Sequence, residues 1–365
     1  MAPSLNSSRE RVQAVFAHQE PDRVPLWFGM SAEFAAKARR DLRLDDEGLR
    51  LRLGDDFRRL QAPYRLPPLD LPTGVSSRTV FGVDRHGLGY GQPISHPLAA
   101  AATVQEIHDY PWPDPACVDV SRLRQEAQAW GGRYAVLGGD WSPFWHDAID
   151  LFGMETLCLH MLDAPLLVDA LLQHLVDVYA ESSRRIFAEA ADLMDIFFIG
   201  NDLGSQTGPL LGPALFERFL LPHLRRLIDL GHRYGLKVQM HCCGGFAPLL
   251  PALVDAGLDA IHAVQPCCVG MDLRALKARF GRQLVFNGAI DSQRVLLEGT
   301  PDSVARDTRA VLDLMMPGGG YIAGASHDTI LEETSVANVL AMADTVRTYG
   351  RYSQRLDGPT ASRYP

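Results

Sequence analysis

The sequence predicts an α/β fold, a TIM-like (β/α)8 barrel with an N-terminal excursion, on three observations. Between about 193 and 326, apolar runs of five or six residues alternate with amphipathic helical stretches, the pattern of right-handed parallel βαβ units. Each legible run ends in polar residues, as barrel strands do at the mouth where active sites of that fold are built. No Gly-rich nucleotide fingerprint follows any run, which disfavours an open doubly wound sheet.

The elements follow in order. "VPLWF" (24–28) and "YAVLGGD" (134–140) read as buried strands, and 155–190 reads as helix. "LMDIFFIG" (193–200) is the next strand. In "GPALFERFLLPHLRRLIDLGHRYG" (212–235), Phe216, Phe219, Leu220, Leu224, Leu227 and Ile228 form an apolar helical stripe. Pro213 suits its first turn, Pro222 should kink its middle and Gly235 can end it. Then come the strand "LKVQMH", the helix "FAPLLPALVDAG", the strand "LDAIHAV" and a helix from Asp272 to Phe280. The strand "QLVFNG", a helix over 301–315 and the strand "GYIAG" complete seven strand candidates. The chain 1–365 therefore reads as one barrel domain, with residues 30–130, Pro-rich and turn-rich, as an irregular elaboration.

A chain of 365 residues can bury a core of that size. Its 35 basic and 44 acidic residues leave a net charge of −9, which argues for solubility and against nucleic-acid or anionic-membrane partners; a small-molecule substrate is the partner expected. The opening stretch has no apolar core of a signal peptide, and no run approaches the roughly 20 apolar residues of a membrane span. Six cysteines, four of them in adjacent pairs, do not resemble a secreted disulfide framework, so a cytoplasmic setting with reduced thiols is expected.

The polar strand ends are the candidate site. They are Asp140, then Asn201 and Asp202, His241 and Cys243, Gln265, Asn287 and Asp291, and finally Ser326, His327 and Asp328. Taken singly, Asp202 and Asp328 could cap helices. In "KVQMHCCGG" (237–245) side chains alternate, so Lys237, Gln239 and His241 share one face and Val238 and Met240 the other. Extended geometry one step further brings Cys243 beside His241 and sends Cys242 outward among apolar neighbours. An imidazole and a thiolate on one face suit zinc; a third ligand could come from His327, Cys267, Cys268 or Asp202. The absence of a C-x-x-C pair disfavours a structural zinc. "DRHGLG" (84–89) fits a corrinoid-binding pattern but sits among turns, and "GGGY" (318–321) precedes a strand where a phosphate loop would precede a helix.

Together "EPDRVPLWF", "YPWPDP", "NDLGSQTGPLLGPALFERFLLPHLRRLIDLGHRYGLKVQMHCCGG", "AGLDAIHAVQP", "GAIDSQRVLLEGTP" and "PGGGYIAGASHDT" resemble the uroporphyrinogen decarboxylase superfamily, in its decarboxylase-like and zinc-dependent methyltransferase branches. The resemblance implies a TIM-like barrel with one deep cleft, often a homodimer. True decarboxylases carry an R-Q-A-G-R motif that holds substrate carboxylates; the corresponding "FGMSAEF" (28–34) has no arginine, which counts against a tetrapyrrole substrate. The methyltransferase branch carries H-x-C on this strand, matched by His241 and Cys243, and a later cysteine, where "AGASHDT" offers His327. The expectation is a metal-dependent methyltransferase using zinc on His241, Cys243 and His327, with a corrinoid on a partner protein as a possible methyl carrier. Asp202 would be a base or would orient a ligating histidine, and Asp140, Trp141, Asn201, Gln206, Gln265, Asn287 and Asp291 would line the pocket. The alternatives are a metal-free decarboxylase or lyase in which His327 and Asp202 move the proton, and a non-catalytic ligand- or corrinoid-docking barrel.

Overall fold

A computed structural model describes residues 6–66, 70–87 and 91–352. Its centre is a seven-stranded parallel sheet whose spatial order follows the chain. The strands are β1 (Phe57–Arg59), β2 (Ala135–Gly138), β3 (Ile196–Gly200), β4 (Lys237–His241), β5 (Ala260–Val264), β6 (Val285–Ile290) and β7 (Tyr321–Ala325). Six of the seven strand candidates read from the sequence are these strands. The seventh, Val24–Phe28, is an extended segment that sits across the gap between the two edges. Leu26 bridges Ala323 of β7 in parallel, and Trp27 N–H donates to Ala323 O at 2.9 Å. On the other side Asp56 N–H, just before β1, donates to Leu26 O at 3.0 Å. The ring is closed, as the barrel reading requires.

β1 lies inside the stretch 30–130, so that stretch is not wholly an elaboration: it contributes the strand the sequence left unread. Three residues of β1, two of them arginine, carry too little apolar periodicity to announce a strand. The same stretch holds a small antiparallel sheet of Ser77–Arg78, Asp84–His86 and Gln92–Pro93. "DRHGLG" thus begins on one of its strands rather than in a strand-to-helix turn, and residues 88–90 lie outside those described.

One buried carboxylate fastens the seam. Asp56 accepts from Ser8 Oγ at 2.7 Å, from Arg11 Nη1 at 2.7 Å, from Arg23 Nη1 at 2.8 Å and Nη2 at 3.0 Å, and from Leu26 N–H at 2.8 Å. Charge-assisted bonds of this kind are the strong ones, and here they offset the cost of burying the charge.

Inward-facing residues of alternate strand positions fill the barrel: Phe57, Ala135, Leu137, Ile196, Phe198, Ala260, Val285 and Ile322. Val12, Val15 and Phe16 of the helix Ser8–Phe16 close its floor, and Trp27 packs among them. Outward-facing residues such as Val238, Met240 and Cys242 meet the surrounding helices. The alternation predicted for β4 is therefore what the two apolar clusters show.

Pro222 acts on its helix as anticipated, by a specific route. A π turn, Phe216–Leu220, separates Pro213–Leu215 from the regular helix Leu221–Arg233. A proline has no N–H to give and its ring crowds the carbonyl one turn back, so the chain widens there. The helical stretch 155–190 is two helices, Met154–Asp163 and Pro165–Ala190, because Pro165 can start a helix but not continue one. Among the described residues no helix is long and apolar enough to cross a membrane, and all six cysteines are free.

Candidate active site

The mouth of the ring gathers three potential ligand atoms. β4 ends at His241, and extended backbone carries Cys243 onto the same face, so that its Sγ stands 3.3 Å from His241 Nε2. The loop after β3 brings Asp202, whose Oδ1 is 3.4 Å from that same nitrogen and accepts the Cys243 N–H at 2.6 Å. These three ligand atoms all lie within 4.8 Å of one another. Gly244, with φ of 87°, sits so close to Gly204 and Ser205 that a Cβ would overlap their backbone; the second half of "CCGG" is what lets the two loops meet.

His327 stands in neither metal-capable cluster of the described residues. Its Nδ1 is 3.0 Å from Thr329 O and 3.2 Å from Thr329 N, turned to its own loop. The third potential ligand atom beside His241 and Cys243 belongs to Asp202, which the sequence offered as one of four third-ligand candidates and also as a base or a cap. Asp202 caps no helix. A second cluster joins His241 to two further groups, His262 of β5 and Asp328.

Electrostatics follow from burial and partners. Burial raises the proton affinity of Asp202, but the hydrogen bond from His146 (Nε2 to Oδ2, 3.2 Å) and the Cys243 N–H outweigh it and hold the carboxyl well below its usual range. For His146, burial alone would lower the imidazole; its bond to Asp202 raises it above the usual value. Burial lowers both His241 and His262. Burial, with Asp202 and Asp328 nearby, pushes the Cys243 thiol up. A neutral imidazole and an ionised carboxylate are ready to ligate, while the thiol needs a cation to draw off its proton.

The remaining candidates divide. Trp141 forms a wall, its ring 5.6 Å from that of His241 and 4.9 Å from Phe198. Gln265 accepts the Gly244 N–H and so steadies the loop after Cys243. Asp140 accepts from Tyr64 Oη at 2.5 Å, and burial pushes its carboxyl up to about 6. Asn201 is fully buried and spends its side chain on loop backbone, accepting from Trp145 N–H and donating to Ser142 O. Asn287 lies inside the barrel beside Gln239, 3.3 Å away. Asp291 accepts from Gln293 and Arg294 N–H and caps the π turn Ser292–Leu297, and Gln206 is exposed on a hairpin turn.

The sequence missed His146, His262 and Arg59. His146 follows no strand; it is on a helix, Phe144–Phe152, and nothing in its spacing marks it. His262 was visible as an imidazole inside the apolar run "LDAIHAV", which alone is a reason to ask what it faces. Arg59 ends the unread strand, and its guanidinium lies over the rings of Trp141 (4.8 Å) and Phe198 (5.2 Å). It lines a cleft of about 370 Å³ with Trp27, Gly29, Gln61, Trp130 and Asp328, the last of which also belongs to the second cluster.

The family model for uroporphyrinogen decarboxylase (URO-D) matches residues 93–349. A methylcobamide:CoM methyltransferase MtbA of Methanosarcina acetivorans is 24% identical over 144 residues, 38% of each chain. A uroporphyrinogen decarboxylase of Azoarcus sp. is 28% identical over 152 residues, 40% of this chain and 39% of that one. The chain thus spans about two fifths of the length of the curated relatives it matches. Among solved structures, a methyltransferase from Methanosarcina mazei superposes with a TM-score of 0.64 over 94% of this chain and 99% of that one, at 17% identity, a likeness of fold.

Proposed function

Because the chain belongs to the uroporphyrinogen decarboxylase family, we propose that it is a metal-dependent methyltransferase, moving a methyl group to or from a thiol or similar nucleophile. The observation that carries this reading is the convergence of Asp202, His241 and Cys243 at the barrel mouth. One oxygen, one nitrogen and one sulfur within a single ion's reach suit zinc, and three protein donors leave a fourth position for a substrate, as catalytic sites require. Bound there, the ion supplies Lewis acidity that lowers the proton affinity of a thiol.

The chain's own residues do the rest. Asp202 accepts the Cys243 N–H and pairs with His146, raising that imidazole's proton affinity against its burial, so the two loops carrying the donors stay in register. Trp141 covers one side of His241 and excludes water. The neighbouring cleft, walled by Trp27, Trp130 and Arg59, takes the substrate. Methylcobamide, in the name of the Methanosarcina acetivorans relative, is a methylated corrinoid, which supports a corrinoid as methyl carrier here, carried in this reading by a partner protein.

The test is metal content. Protein purified without chelator should hold close to one zinc per chain, and His241→Ala and Cys243→Ala should each lose it. Metal-free protein that still binds its substrate and turns it over would sink this reading.

A further inference from the structure

His241 and His262 occupy paired positions on neighbouring strands, and both rings turn inward. Their Nδ1 atoms are 3.1 Å apart. His262 is fully buried, edge-on to Trp27 at 5.2 Å and to Phe198 at 5.4 Å, and its Nε2 has no hydrogen-bond partner. Asp328 Oδ1, 4.0 Å from His262 Nδ1, is too far to compete as a hydrogen-bonding partner. The other charged or titratable groups felt by this pair are Asp202, His146, His327 and Arg59.

Two neutral imidazoles meeting nitrogen to nitrogen share one proton, so only two arrangements exist. With the proton on His241 Nδ1, His262 accepts it and the lone pair of His241 Nε2 faces Cys243 and Asp202. With the proton on His262 Nδ1, His241 carries its own on Nε2, aimed at Asp202 and unable to ligate. Metal-bound histidines commonly give their second N–H to a carboxylate or a carbonyl. Here a second imidazole stands in that place, and no other acceptor of the described residues is recorded at His241 Nδ1.

We propose that His262 is a positioning residue: by accepting the Nδ1 proton of His241 it holds that ring in its ligating tautomer. The proposal rests on the metal reading above. It carries a chemical corollary. A neutral imidazole draws less on the shared proton than a carboxylate would, so His241 donates less electron density and leaves the ion a stronger Lewis acid.

The test measures zinc affinity of the full chain by chelator competition, with cobalt(II) spectra as a second readout. Wild type is compared with His241→Ala, His262→Phe and His262→Asn, and thermal melts check folding. The expected result is a 10- to 100-fold loss of affinity in His262→Phe, the range for removing such a partner. His262→Asn, whose amide oxygen can accept the same proton, should recover most of the loss and the cobalt spectrum. In zinc-loaded wild type, ¹⁵N spectra of labelled histidine should place the His241 proton on Nδ1. Unchanged affinity in a folded His262→Phe, or a His241 proton on Nε2 with zinc bound, overturns the proposal and leaves the metal reading intact. Wild type that takes up no zinc sinks the metal reading itself. If His262→Phe does not fold, the asparagine variant and the ¹⁵N spectra decide alone.

Discussion

Cys243 Sγ lies 3.3 Å from His241 Nε2, although Cys242 between them points the opposite way into the outer core. The thiol is held up by burial and by Asp202, so near pH 7 it keeps its proton until a cation arrives. Adding zinc to metal-free protein in weak buffer should therefore release about one proton per ion, and affinity should rise about tenfold per pH unit between pH 6 and 8. Cys243→Ala should show no such release. A pH electrode and a chelator titration check both.

Asp202→Asn keeps an oxygen for the Cys243 N–H but removes the charge that favours protonated His146. The His146 imidazole should then titrate lower than in wild type, because the raising partner is gone while the burial that lowers it remains. Metal affinity should fall about 10- to 100-fold or more, at least the effect of losing an outer partner. An NMR titration of His146 and a zinc competition assay read the two effects separately.

Gly200, the last residue of β3, has the Trp141 indole where a Cβ would be. Gly200→Ala must move that ring, and with it the wall beside His241 and the surface under Arg59. The expected cost is about 1–3 kcal/mol of stability, typical of overpacking. Chemical denaturation measures it, and a red-shifted, brighter tryptophan emission should report the displaced indole.

Asp147 is buried, accepts a hydrogen bond from Tyr179 Oη, and has its carboxyl pushed up to about 7, chiefly by burial. Its unfolded value is near 3.9. From about pH 4 to 7 the folded chain thus holds a proton that the unfolded chain has lost, so this group's contribution to stability declines as pH rises. Asp147→Asn cannot ionise. Its melting temperature relative to wild type should improve from about pH 4 to pH 7 and level off above that; a constant difference across this range would contradict the raised value.

Periodicity made the second half of the barrel legible, because strands β3 to β7 are apolar runs separated by helices, where each residue's face is set by burial. β1 escaped because its three residues, Phe57, Arg58 and Arg59, place only one apolar side chain inward. At the site, the spacing of His241 and Cys243 was enough, since parity along one strand decides it. Parity could not choose among the four third-ligand candidates: Asp202 reaches His241 across strands, through a loop whose path depends on Gly204 and Gly244 fitting together. Asn201 and Asp291 follow strand ends as the pattern said, while Asn287 lies within β6, and their polar atoms are used up within loops, at a cap and within the barrel. Sequence position gives the end of a strand; it does not say which way a hydrogen bond is made.

Asp56 binds two arginines, a serine and the backbone of Leu26, and Asp56→Ala would leave the buried Arg11 and the largely buried Arg23 with fewer partners. A loss of about 3–5 kcal/mol is expected by urea denaturation. The position of this knot has a kinetic side. Leu26 meets Ala323, so this extended segment can find that lateral neighbour only after all the strands between them have been made. Until then it is an open edge, and the carboxylate that gathers the leading helix, Arg23 and Leu26 on one anchor keeps that edge tethered while the rest of the wheel is delivered.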